Sequence, residues 1–259
     1  MCGRFVTLSR EEVAEVLMAL EQGEPLRILE ERDTRVQAFP GSDIAAIGLP
    51  NGLADELVGE TANGMAGTSF ARRNELAAVP TNSENVADLR DQLSIGTFRW
   101  GFTPNWSNKT IFNTRIESAL SGSGMWANII RDGRCIVPAA SFFEPHATET
   151  VRSPRTGRQV KRSYEFAQPD GSPLLLAGLC NDGCCSIVTT EPNRWVSPIH
   201  SRMPLALRFE EVLPWLAGDQ ETLSALADRC SYELHVAPES ISAAGNENDA
   251  EPPAQLSLF

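Results

Sequence analysis

Apolar side chains at Val13, Val16, Leu17 and Leu20 recur at the three-and-four spacing of a helix, and the polar run Ser9-Arg10-Glu11-Glu12 stands before them. A serine followed three residues later by a glutamate is a capping box, so a helix is predicted from about Arg10 to Leu20. Arg35 to Ile47 is short, β-like and broken at Pro40-Gly41. From Pro50 to about Ser94 large apolar residues give way to glycine, asparagine, alanine and acids. That composition predicts a surface insertion over about 50–95, with one short helix near 84–93.

The apolar pattern then returns. Thr97 to Trp106 reads as a strand and a tight turn, and Ser118 to Ile130 as helical at its far end. Cys135–Pro138 and Ser141–Phe143 read as buried strands, as do Tyr164–Phe166, Leu174–Leu179 and Cys185–Thr190. Phe209–Leu216 and Glu221–Ala227 are predicted as short helices and Glu233–Val236 as a last strand. Strands dominate and few are separated by helices, which argues for an α+β fold. Past Pro238 the chain turns to serine, alanine, glycine, asparagine and acids, so a domain over 1–239 is expected to be followed by a disordered acidic linker at 240–254.

Composition changes the picture in three places. No run approaches the roughly 18 apolar residues of a membrane span, and the first residues show no secretory pattern, so a cytoplasmic protein without membrane contact is expected. Six cysteines (Cys2, Cys135, Cys180, Cys184, Cys185, Cys230) are then expected as thiols. Cys180, Cys184 and Cys185 have loose spacing and no histidine close by, which reads as ordinary core or turn cysteines; no metal and no cofactor are expected.

The net charge of −12 argues against a nucleic-acid partner, but its distribution argues the other way. Residues 99–208 carry 13 basic and 8 acidic side chains, net +5, and the remainder is net −17. Of the 22 basic residues 20 are arginine, the side chain that forks onto phosphate. Codon bias in the host is the bland account. Arg152 to Arg162 carries five basic residues around Gly157 and reads equally as a solvated hairpin tip or as a DNA contact.

Cys2 is the leading candidate for chemistry. A start methionine before a small residue is usually removed, which would leave Cys2 with a free α-amine beside its thiol. These groups titrate near about 8 and 8.5, so both are partly nucleophilic at neutral pH. An amine condenses with an aldehyde to a Schiff base, and a thiol β to it can close a five-membered thiazolidine. The alternative is a small buried hydrophobe.

Five stretches carry a resemblance: Met1-Cys2-Gly3-Arg4-Phe5, Arg99 to Pro104, Asn113-Thr114-Arg115-Ile116-Glu117, Pro138 through Phe143-Glu144, and His200-Ser201-Arg202-Met203-Pro204. In this order and spacing the chain resembles the SOS-response-associated peptidase (SRAP) family, whose members crosslink to abasic sites in single-stranded DNA. The resemblance covers about 1–49 and 95–240. It implies a strongly bent, mostly antiparallel sheet closing into a pseudo-barrel with peripheral helices, and a positive groove with Cys2 at its floor. It implies a thiazolidine between Cys2 and the ring-opened abasic sugar, and removal of Met1 by the protein itself.

The other matched residues then acquire roles. Glu144, beside Phe142, Phe143 and Pro145, is expected to have a raised pKa suited to proton transfer. His200 is placed to protonate the sugar oxygen or to assist reversal. Asn113 has donors and an acceptor with which to orient the amine and thiol. Arg4, Arg115 and Arg202 match positions that hold phosphates, while Phe102 and Trp106 offer stacking surfaces; Trp100 is expected in the core. Three departures stand out: Pro145 where the family usually has tryptophan, Thr114 where alanine is commoner, and the 50–95 insertion.

The last five residues, Gln255-Leu256-Ser257-Leu258-Phe259, resemble the clamp-binding pentapeptide of bacterial replication and repair proteins. That likeness implies docking on the β sliding clamp; the alternative is a tail folded back on the domain. The chain is read as a monomer acting on single-stranded DNA. Two rival functions use the same residues: a hydrolase with an N-terminal cysteine nucleophile, and a non-covalent adaptor that brings the clamp to damaged DNA.

Overall fold

The computed structural model of the chain describes residues 2–26, 35–50, 88–105, 108–228 and 232–239. The expectations for Trp106, most of the insertion, the linker and the tail therefore lie outside the described residues. The strands are β1 (Arg4–Thr7), β2 (Gln37–Ala38), β3 (Asp43–Gly48), β4 (Ser94–Trp100), β5 (Asn113–Arg115), β6 (Arg134–Arg152), β7 (Gln159–Ala167), β8 (Leu174–Asn181), β9 (Cys184–Thr190), β10 (Met203–Pro204), β11 (Ala206–Leu207) and β12 (His235–Pro238).

The helix Arg10–Gln22 begins where the capping box places it. Ser9 Oγ accepts from the Glu12 amide and the Ser9 amide donates to the Glu12 carboxylate at 2.7 Å. It ends at Gly23, whose φ of +71° suits the left-handed cap that glycine adopts at least cost. Further helices are Ile116–Leu120, Trp126–Asp132, Val212–Ala217 and Gln220–Asp228, so the helical reading of 118–130 is split in two. Among the described residues no helix is long and apolar enough to cross a membrane.

Strand pairing closes a ring. β3 pairs antiparallel with β4, β4 parallel with β9, β9 antiparallel with β8, β8 antiparallel with β6, and β6 antiparallel with β3. The result is a five-stranded mixed barrel with further strands attached, the α+β pseudo-barrel expected. Closure removes the exposed edges that an open sheet would leave. Inside it lies one apolar cluster with Phe5, Trp100, Phe142 and Phe166; a second, under the helices, holds Val16, Leu20, Trp215 and Leu216. Both tryptophan N–H groups are satisfied, Trp100 by the Phe112 carbonyl and Trp215 by the Cys135 carbonyl.

β6 positions the site. The two short strands expected at 135–138 and 141–143 are one 19-residue strand. Its first part pairs with β8 from Arg134 to Ala139, and its second part lies between β1 and β7. Pro138 and Pro145 are accommodated within it, so an apolar run broken by prolines in sequence is continuous in space.

Candidate active site at the junction of strands 1 and 6

Glu144 is fully buried on β6, two residues from Phe142 and therefore on the same face, which points into the barrel cluster. Phe142 stacks on Phe166 at 4.9 Å and 9°. In that apolar setting the charged form loses solvation, and burial pushes the Glu144 carboxyl up to about 7. The sequence expectation of a raised pKa is met. Cys2 precedes β1, whose Arg4 and Phe5 are registered against Phe143 and Phe142. It too is fully buried: burial pushes its thiol well up, and the nearby negative charge of Glu144 acts in the same direction.

Asn113 and His200 complete the constellation. Asn113 opens β5, which lies parallel to β9, and its Nδ2 donates to the Cys2 carbonyl at 2.7 Å. Among the described residues its buried Oδ1 has no hydrogen-bond partner, leaving an acceptor open. His200 Nδ1 lies 2.8 Å from the Arg202 carbonyl and 3.7 Å from Glu144 Oε2. Burial, reinforced by nearby positive charge, lowers the His200 pKa, so the ring is neutral at pH 7. A lowered pKa makes the protonated ring a stronger acid and the neutral ring a weaker base.

Two of the three arginines are already occupied. Arg4 lies over the Phe143 ring at 4.0 Å and is clasped by Glu239 through both guanidinium nitrogens, at 2.7 and 2.5 Å, with Ser163 Oγ at 3.0 Å. Arg202 is held the same way by Glu117, at 2.7 and 2.9 Å, and donates to the Thr189 carbonyl. Arg115 is exposed at the end of β5. In both Arg4 and Arg202 the guanidinium fork is filled by a carboxylate, the pairing its planar geometry suits. Glu117 was legible only as part of a motif, and no local signal marked Glu239, 235 residues from its partner.

Phe102 is not brought to the site. It is 7% exposed and packs edge-on against Trp126 at 5.5 Å, because the second cluster claims its ring, so the stacking role expected for it is corrected. Trp100 is fully buried in the core, as expected.

A second group of ligand-type side chains was not foreseen. The sulfurs of Cys135, Cys180 and Cys185 lie within 4.8 Å of one another. Cys184, expected alongside its neighbours, is only partly buried, because adjacent strand residues face opposite ways. The register that sets Cys135 against Gly178 brings the third thiol in from β6. The three sulfurs are close enough to share a soft cation, but their surroundings are aliphatic and enclosed.

Comparison with known proteins adds identity to this geometry. A family model described as SOS response associated peptidase (SRAP) matches residues 1–242. The abasic site processing protein YoqW of Bacillus subtilis is 31% identical over 157 residues, covering 52% of this chain and 66% of that protein. The abasic site processing protein HMCES of Rattus norvegicus is 26% identical over 215 residues, covering 67% of this chain and 60% of that protein. Both alignments span slightly less than two thirds of the relative's own length. The crystal structure of a phage-related protein from Bordetella bronchiseptica matches with a TM-score of 0.56 at 19% identity, over 94% of this chain and 98% of that one, a likeness of fold.

Proposed function

The chain belongs to the SOS response associated peptidase (SRAP) family, and on that premise we propose that it processes abasic sites in DNA by covalent capture through Cys2. The observation that carries this reading is a fully buried carboxyl, raised to about 7, beside a buried thiol that has no low-pKa form of its own. A thiol kept protonated needs a base within reach before it can attack, and Glu144 is that base.

The steps follow from the groups present. Removal of Met1 frees the α-amine of Cys2. The amine adds to the aldehyde of the ring-opened sugar to give a carbinolamine. Protonated Glu144 donates to the departing hydroxyl, water leaves, and a Schiff base remains. Glu144, now a carboxylate, takes the thiol proton as sulfur adds to the carbon of the protonated Schiff base, which closes a thiazolidine with a neutral ring nitrogen and restores protonated Glu144. The sum is aldehyde plus aminothiol going to ring plus one water. With a pKa near neutrality both forms of Glu144 are populated at pH 7, which suits a group that must give and take a proton in one cycle. Asn113 holds the backbone of residue 2 and offers Oδ1 to the amine, while neutral His200 accepts a proton during ring opening.

The test is a denaturing gel of the protein incubated with a single-stranded oligonucleotide bearing one abasic site. A band that survives heating without added reductant is expected from the processed protein, and none from Cys2→Ala or from a chain with an uncleaved N-terminal extension. An equally stable band from the extended chain would exclude the thiazolidine. A hydrolase would release its product and leave no band.

The tail Gln255–Phe259 supports a second, separable role in docking on a β sliding clamp. A labelled peptide of these residues should bind the clamp saturably; a flat titration would remove the tail from the account.

A further inference from the structure

Past Pro145, β6 and β7 continue together as a two-stranded ribbon, with Thr150 opposite Lys161, Val151 opposite Val160 and Arg152 opposite Gln159. Its tip turns at Gly157, whose carbonyl accepts from Arg152 Nε. Nearly all of it is solvent-exposed. Residues 152–162 hold five cations, Arg152, Arg155, Arg158, Lys161 and Arg162, and no acid. The ribbon's one carboxylate, Glu149, accepts from the Tyr164 hydroxyl at 2.7 Å. Among the described residues no ion pair engages any of the five cations, whereas Arg4 and Arg202 are each clasped by a carboxylate.

Five like charges on a narrow ribbon repel one another, and a surface built only for solubility mixes its signs. A polyanion relieves that repulsion and releases its own counterions in doing so. The ribbon also has a fixed relation to the site, because it is the continuation of the strand that carries Glu144. Glu144 lies opposite Tyr164 and Arg152 opposite Gln159, so β7 advances five residues over this span, a reach of about 17 Å at strand rise, or about five nucleotides at about 3.4 Å each. At the near end, Lys161 lies close enough to His200 for its charge to be felt there.

We propose that the ribbon from Thr150 to Arg162 is a second DNA-binding element, which grips the phosphate backbone flanking the lesion on one side, without regard to sequence. The proposal rests on the abasic-site reading above. The contacts are to backbone phosphates. Between Thr150 and Arg162 no side chain presents an aromatic face for stacking, so base identity is not read here.

The test uses the full chain and its triple variant Arg155→Gln, Arg158→Gln, Lys161→Gln, whose exposed positions leave the fold intact; equal melting temperatures check this. Binding of a long single-stranded oligonucleotide without a lesion is measured as salt is varied. The slope of log affinity against log salt should fall by about 2, near 0.7 for each lost phosphate contact, with affinity about tenfold to a hundredfold weaker at low salt. Crosslinking of abasic oligonucleotides is then followed with one flank at a time cut to about three nucleotides. Shortening one particular flank should slow the parent to the rate of the variant, and shortening the other should not. An unchanged slope and affinity would overturn the proposal, as would indifference to both flanks or equal loss from both. Tighter binding of RNA than of DNA through the same side chains would overturn the choice of partner. The lesion-free titration reads the ribbon even if neither protein crosslinks, an outcome that would sink the capture mechanism alone.

Discussion

Two sets of thiols lie within the same apolar cluster of the barrel, equally enclosed and differently equipped. Cys2 is fully buried, and so are Cys135 and Cys185, with Cys180 at 2%. Burial pushes the thiols of both regions up, so burial does not separate them. Their neighbours do. Around Cys2 stand a carboxyl near neutrality, a neutral imidazole and an amide with an open acceptor. Around Cys135 stand two more thiols, Val137 and the bare backbone of Gly178. There burial pushes Cys185 up, but hydrogen bonds from the other two thiols and from the Leu179 backbone pull it down further. A cysteine inside a protein becomes chemically useful when a second titratable group can exchange a proton with it.

The sharpest way to break that comparison is Glu144→Gln. The folded state holds this carboxyl at about 7 against an ordinary 4.5, so it favours the protonated form. Its stabilisation is complete below about pH 4.5 and is lost as pH rises through about 7, a change on the order of 3 kcal/mol. The glutamine variant cannot titrate, so urea denaturation at pH 5 and pH 8 should give it similar stability at both, with the parent falling behind at the higher pH. Crosslinking by the variant should slow about a hundredfold, with loss of its neutral pH dependence. A parent as stable at pH 8 as at pH 5 would show the carboxyl to be solvated, and Cys2 no different in kind from the other thiols.

A smaller effect sharpens the other side. A Cβ on Gly178 would lie 2.8 Å from Cys135 Sγ and 3.3 Å from Cys185 Sγ. Gly178→Ala should cost about 1–3 kcal/mol by overpacking and lower the melting temperature, while leaving the crosslinking rate unchanged. Adding Cys135→Ala should recover part of that loss. If the double variant is no more stable than the single one, crowding of the thiols is not what the glycine relieves.

The charged groups show the same contrast between local and distant partners. The arginines at the site were visible in sequence as motif members, yet two of them are held by Glu117 and Glu239 until something displaces the carboxylate. Glu239 is fixed twice, since its amide also donates to the Ser163 carbonyl. The ribbon's basic character was equally visible, and the absence of an ion pair to it among the described residues was not.

What the chain determined by itself was local. Ser9 and Glu12 announced a helix because both bonds of the capping box close within one turn. Phe142, Phe143 and Pro145 announced the perturbed carboxyl of Glu144 because strand neighbours supply much of a residue's surroundings. Tertiary structure decided whatever depends on register and closure. It joined two apparent strands across Ala139-Ala140 into β6, turned Phe102 inward against Trp126, and brought Cys135 rather than Cys184 to Cys180 and Cys185. Each of those contacts links residues far apart in sequence, and short-range patterning carries no information about which distant strand will lie alongside.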